Sequence, residues 1–336
     1  MAGNSKSSVI AGVSANAIIT VVKFIGFLAS GSSALLSEAI HSVADTGNQS
    51  LLLVGLAQSQ RPPDDSHPYG YARDRFFWGL VSALGIFFLG AGVTLYHGIH
   101  GMMHPPESIE YSWITWAVLG FSFIVEGGAL TVALKGVAKD AKHAGVSFRR
   151  YVKEGRDPTI AAVMLEDGAA ILGVFMAAGC ILMTQVTGNT MWDSLASLLV
   201  GILLAVVAIV LITQNRQFLT IRSVDADVQK KIQDVIKSHA TLESTGGFRA
   251  VMLGVDSFHI SAGLDFDGRK LAALIMTDKD LAEAKAAASD DEKLKAWIGE
   301  FSERITQQVA KEIDEIETKI REVAPQATRI QLENKG

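Results

Sequence analysis

Residues 37 to 45 read S-E-A-I-H-S-V-A-D, and they lie between two apolar runs, A-N-A-I-I-T-V-V-K-F-I-G-F-L-A (15 to 29) and L-L-L-V-G-L-A (51 to 57). In a helix the spacing of four sets His41 and Asp45 on one face, so an imidazole and a carboxylate can close on one ion. The bland alternative is a buried hydrogen-bonded pair. Glu38 lies one turn before them, near the expected outer end of the helix, where it can gate entry or release. Asn48 falls near the same face.

Which of these readings applies depends on where the side chains live. The chain of 336 residues is 49% hydrophobic with mean hydropathy +0.28, and its apolar residues concentrate before position 220 while charged ones dominate afterwards. This pattern predicts a membrane domain over 1–215 and a soluble domain over 216–336. A net charge of -5 offers no electrostatic reason for a nucleic-acid partner. The single Cys180, in an apolar segment, excludes a disulfide framework and a thiolate metal cluster and is assigned to packing.

Six stretches reach the roughly 20 residues that a helix needs to cross a bilayer. They run at about 8–30, 34–58, 76–101, 112–138, 159–186 and 191–214. The segment 59–75 carries Arg61, Arg73 and Arg75, and 139–158 carries Lys139, Lys142, Arg149, Arg150, Lys153 and Arg156. The alternate loops near 31–33, 102–111 and 187–190 carry no Lys or Arg. The asymmetry predicts both termini on the cytoplasmic side, or its equivalent in an organelle; in a bacterial cell the membrane is the inner, plasma membrane. The first segment has no small-residue cleavage site after it and reads as a retained helix.

After Asn215, residues 223–239 have apolar positions at helical spacing, and 250–267 alternate as two strands around a turn. Strong helix formers fill 281–323, interrupted near A-A-S-D-D-E-K, and T-R-I-Q-L-E after Pro325 reads as a closing strand. The expected architecture is a helical layer on a small sheet. No fixed-period repeat is present.

Several motifs together carry a family resemblance: S-A-L-L-S-E-A-I-H-S-V-A-D-T-G-N-Q, the loop S-H-P-Y-G-Y, D-P-T-I-A-A-V-M-L-E-D-G-A-A-I-L-G-V, D-S-L-A-S-L-L-V-G-I-L-L and F-H-I-S-A-G-L-D-F-D-G-R. In this order they resemble the cation diffusion facilitator family, and within it the branch that includes the mitochondrial zinc transporter of animals. The resemblance implies a homodimer with six transmembrane helices per subunit, a cytoplasmic ferredoxin-like domain, and export of a divalent metal against protons. It also implies that the fifth membrane helix supplies two further ligands, four residues apart. Glu166 matches the first position, whereas Ala170 occupies the second and cannot ligate. The expected metal residues are therefore His41, Asp45 and Glu166, with Asp167 as a base behind them or an alternative ligand; Asp167 is turned by about 100 degrees from Glu166.

One imidazole with two or three carboxylates suits zinc, and is also acceptable to manganese, cobalt or iron; the resemblance tips the choice to zinc as transported substrate, with no prosthetic group. Cadmium is a further alternative on the same fold. Because ligands bind metal only when deprotonated, the same groups explain proton exchange.

Other polar features carry less weight. Asp64 and His67 lie in a loop where family members often hold a second metal, but Tyr71 stands in place of the second His, which favours a structural or steering loop. Lys23 and Glu126 fall inside expected helices and can pair or line a cavity. His97, His100 and His104 read as an interfacial cluster, and Asp193 as an N-terminal cap of the sixth helix. In the soluble part His239, His259, Asp265 and Asp267 are plausible ligands, the last three on one strand face, but the expected role of this domain is dimerisation or regulation. The region 281–323 includes an expected branch-specific insertion. No H-E-x-x-H motif or nucleophile constellation supports a membrane hydrolase, and the chain is expected not to be an enzyme. A non-transporting scaffold or regulator is the other class that the loss at Ala170 allows.

Overall fold

A computed structural model describes residues 2–143, 145–153, 158–255 and 257–335, with side chains left undescribed at 2–12, 15, 150, 152–153 and 158–162. Arg156 of the basic segment, Asp157 of the D-P-T-I motif and Asp256 of the expected turn lie outside the described residues. The chain divides into two compact units, Met1–Thr220 and Ile221–Gly336.

The first unit is helical. Its long elements are α1 (Ala2–Ser30), α2 (Ser33–Ser59), α3 (Asp74–Met103), α4 (Trp113–His143), α6 (Pro158–Thr187) and α7 (Met191–Leu219), with a short α5 (Phe148–Lys153). The helix α4 runs to His143 and so takes in Lys139 and Lys142, which the sequence reading had left in a loop. Among the described residues four helices are long and apolar enough to cross a membrane: α3, α4, α7 and the Val163–Thr187 part of α6. In α1 the searched stretch Asn16–Ser30 is apolar, and α2 is diluted by Glu38, His41, Asp45 and Asn48. At 27 residues α2 is nevertheless about 40 Å long.

Small residues let these helices approach closely, the packing that a bilayer favours where apolar burial alone gives no drive. A Cβ on Gly98 of α3 would stand 2.6 Å from the Leu198 backbone nitrogen of α7, and one on Gly201 of α7 would stand 2.8 Å from the Leu95 side chain. Midway along α3, residues Ile86–Gly92 form a π-helical segment packed against α2 and α7. Such wide turns are frequent at functional sites.

The second unit is a three-stranded sheet with helices. Its order is α8 (Ala226–Lys237), β1 (Leu242–Met252), β2 (Phe258–Phe266), α9 (Gly268–Ile275), α10 (Asp278–Ala287), α11 (Asp291–Val323) and β3 (Ala327–Asn334). Strand β2 is central, antiparallel to β1 and parallel to β3. Ile232 and Ile236 of α8 and Ile316 and Ile320 of α11, each pair one turn apart, close on Ile260 and Leu264 of β2, all at most 2% exposed. That spacing is the apolar stripe of a helix laid on a sheet. Asp290 accepts from the Glu292 and Lys293 amides and starts α11, which explains the break near A-A-S-D-D-E-K. The expected alternation over 250–267 covers β2 but only the end of β1, which begins at Leu242: β1 carries Gly246 and Gly247 and a bulge between Gly246 and Arg249, and these disrupt the period of two.

Candidate metal and proton site in the membrane unit

The start of α2 is pinned from another helix. Ser32 caps α2 by accepting from the Leu35 amide. Asp193 of α7 accepts from the Ser32 hydroxyl, the Ser33 and Ala34 amides and the Tyr111 hydroxyl. Asp193 was expected to cap its own helix. It lies in the first turn of α7 but serves the free amides of α2, because that end is buried against it.

From this anchor α2 presents a polar stripe of Glu38, His41, Asp45 and Asn48. His41 is 1% exposed, and its Nε2 stands 3.0 Å from Asp45 Oδ2. Its Nδ1 has no hydrogen-bond partner. Two turns away, the Asn48 amide donates to Glu166 Oε2 of α6, and the Ser82 hydroxyl of α3 donates to the Asn48 carbonyl. The other oxygen of Glu166 is buried without a partner. At the opposite end of the stripe, Lys23 of α1 donates to Glu38 at 2.8 Å and to Glu126 of α4 at 2.7 Å.

Two contacts fix the register of α2 against α6. Asn48 meets Glu166, and Glu38 fills the space beside Gly173, where a Cβ would stand 2.5 Å from Glu38 Oε1. The helices therefore run antiparallel along this seam. Ala170, on the same α6 face four residues after Glu166 and three before Gly173, falls between the two contacts, level with His41 and Asp45; it is 3% exposed. Asp167 is half-buried beside it, close enough that the charges of Asp45, Glu166 and Asp167 act on one another.

The structure thus brings together His41 with Asp45, Asn48 with Glu166, and Lys23 with Glu38 and Glu126. Among the described residues no three His, Cys, Asp or Glu side chains converge into a cluster ready for a metal. Ser82, Gly173 and the three-way pairing of Lys23 were missing from the sequence reading. The signals for them are weak: a serine and a glycine in apolar helices gain meaning only when the partner helix is known.

The remaining candidates are engaged elsewhere. Asp64 Oδ1 accepts from the Ser66 and His67 amides and the Ser66 hydroxyl, and Oδ2 accepts from Tyr71 Oη at 2.7 Å. These donors, Tyr71 first, hold its carboxyl well below the usual carboxylate range. His67 is exposed and lies against the Tyr71 ring, over which Arg61 also sits. His100 stacks on His104 at the end of α3. His239 stands 3.5 Å from Glu312, which also accepts from Thr241 and Gln308. Asp267 lies beyond β2 and not on its face with His259 and Asp265; it accepts from the Arg269 and Lys270 amides and starts α9. An aspartate after a strand and before a helix is drawn to the free amides.

Residues 9–220 match the family pattern of the cation efflux transmembrane domain. The chain belongs to the cation efflux family. It is 35% identical over 321 residues to the mitochondrial proton-coupled zinc antiporter of Mus musculus, covering 95% of this chain and 56% of that relative. It is 34% identical over 338 residues to metal tolerance protein C4 of Arabidopsis thaliana, covering 98% of this chain and 73% of that relative. The magnetosome protein MamM of Paramagnetospirillum magneticum is 30% identical over 114 residues, covering 32% of this chain and 34% of that protein. The chain spans little more than half the length of the mouse relative. It is a membrane protein whose helical part is the family's transmembrane domain, followed by a small unit containing a sheet.

Proposed function

We propose that this cation efflux protein moves a divalent metal, zinc, across a membrane in exchange for protons, by exposing one site alternately to the two sides. The observation that carries the reading is the His41–Asp45 pair on α2, with the imidazole buried, its Nδ1 unpartnered and its Nε2 3.0 Å from Asp45, opposite the helix that bears Glu166. An imidazole beside a carboxylate, with one nitrogen left open, is half of a zinc site. The names of the animal relatives, proton-coupled zinc antiporters, agree with this chemistry.

In this proposal His41, Asp45 and Glu166 are the ligands, with Asp167 as alternative ligand or base. Glu166 is held back by Asn48, whose amide competes with the ion for its oxygen, and Ser82 holds Asn48 in turn. Loading exchanges that hydrogen bond for a bond to the ion. With Ala170 level with His41, the fourth position is left to water or Asp167. Such an open position suits release. The ligands shed protons as the ion arrives and regain them as it leaves, which makes the exchange an antiport. The oxygen-rich set also keeps manganese, cobalt, iron and cadmium as alternative cargo.

The finer architecture belongs to the same reading. All six long helices cross the membrane, α2 accepting its polar stripe because it faces the interior of the bundle. The basic residues Arg61, Arg73, Arg75, Lys139 and Lys142 place the loops they flank, and hence both termini, on the cytoplasmic side of a plasma membrane or its organellar equivalent. The first domain transports. The second is a ferredoxin-like variant that joins two copies into a dimer or regulates them, and no step is catalysis. Zinc uptake into proteoliposomes under an imposed pH gradient tests the reading; vesicles no more permeable than empty ones would reject it in favour of a scaffold.

A further inference from the structure

Three ionisable side chains meet at membrane depth beyond the proposed ion site. Lys23 pairs with Glu38 and Glu126, and all three are at most 8% exposed. One ammonium against two carboxylates leaves an uncompensated negative charge. Burying it costs several kcal/mol unless something neutralises it. Each carboxylate turns only one oxygen to Lys23; Glu38 Oε1 and Glu126 Oε2 are buried with no hydrogen-bond partner. Excess charge and vacant oxygens are answered by the same particle, one proton.

The two carboxylates are not equivalent. Glu38 is sealed, with Oε1 pressed against Gly173, whereas Glu126 keeps 8% exposure as a residue although its Oε2 is buried. We propose that the Lys23–Glu38–Glu126 triad is a proton-binding site separate from the metal ligands, that Glu126 Oε2 takes the proton, and that this site exchanges its proton against the transported dication through charge. The exchange rests on the transport reading; the protonation does not.

Glu126 touches Lys23 of α1, and the charges of Glu38 and His41 of α2 and Asp167 of α6 also act on it. A dication held at His41 sits one turn along α2 from Glu38, a rise of about 5 Å. Its charge compensates the triad, the O–H bond at Glu126 breaks, and the proton passes to water on the open side. When the ion leaves, the excess negative charge returns and Glu126 takes a proton from the side then open. Lys23 stays charged throughout and limits the triad to one proton, so that one triad proton moves for each ion.

The test uses the full chain in proteoliposomes. The variant Glu126→Gln should keep zinc isotope exchange at equal pH within about threefold of wild type, while losing tenfold or more of the stimulation by an acid vesicle interior. Wild-type stimulation in this variant overturns the proposal. Infrared difference spectra provide an independent readout: the metal-free protein should show a protonated-carboxyl band that disappears on zinc addition and shifts in Glu126→Asp. An absent band, or one that Glu126→Asp leaves in place, overturns the proposal even if Glu126→Gln does not fold. Wild-type vesicles without zinc flux would reject the transport reading alone, because titrating the same band with pH still decides the proton site.

Discussion

The two units treat buried charge in opposite ways. In the C-terminal unit Asp280 and Glu312 are buried but served: Asp280 accepts from Arg304 and from the Thr277 amide and hydroxyl, and Glu312 accepts from Thr241 and Gln308. In the membrane unit Glu38, Glu126 and Glu166 each keep a buried oxygen without a partner, and His41 keeps its Nδ1 so. Served charges hold a fold together, whereas unserved ones are a cost that selection keeps only for a use. Under the proposed function, the contrast sets the working groups in the membrane unit.

Removing an unserved group should therefore destroy function and spare the fold. Asp45→Ala or His41→Ala should lower gradient-driven zinc flux in proteoliposomes by about 100-fold or more, with the elution volume in detergent unchanged. Wild-type flux in Asp45→Ala would break the comparison at its strongest point.

Changing the chemistry without removing it should do less. In His41→Asp the nitrogen that favours zinc is replaced by a third or fourth carboxylate, and the zinc-to-manganese preference should fall by about tenfold in competition uptake. An unchanged preference would move the filter away from α2. Ala170→Asp adds a carboxylate level with His41 and should tighten zinc binding in calorimetry by about tenfold while slowing turnover. Unchanged affinity in a folded variant would show that this side chain does not face the ion.

The smallest effect should come from the served charges. Hydrogen bonds from Arg304 and Thr277 hold the Asp280 carboxyl well below the usual range. A group depressed in the folded state contributes its full stability above its unfolded value of 3.8 and loses it as pH falls through the lower folded value. Hydrogen exchange in the full chain should thus show α10 amides losing protection by about threefold on acidification below that value, and Asp280→Asn should flatten the response. Zinc flux in Asp280→Asn at neutral pH should stay within about twofold of wild type. A large loss would mean that the two units are not separable in function.

Much of the membrane unit was legible because the bilayer allows few solutions. Long apolar segments become helices, and an ionisable residue inside one stands out, so Glu38, His41, Asp45, Lys23 and Glu126 could be read from type and spacing. Asp193 shows the limit. An aspartate in the first turn of a helix looks like that helix's own cap, yet its four donors come from Ser32, Ser33, Ala34 and Tyr111. Asp267 failed in the other direction, read as a strand residue when the helix after it claimed the side chain.

The order of elements and the one-faced stripe on α2 were readable from the sequence, because each depends on residue type and on helical period along one chain segment, while the departure at Ala170 came from the family resemblance. Which groups meet was not readable there. The pairing of Lys23 with both Glu38 and Glu126, the hold of Asn48 and Ser82 on Glu166, and the level of Ala170 against His41 depend on the register between helices. That register is set by close contacts such as Glu38 against Gly173 and Gly98 against Leu198, and a shift of one residue along a helix rotates its side chains by about 100 degrees. Periodicity within a helix fixes a face; only the packing between helices chooses what that face meets.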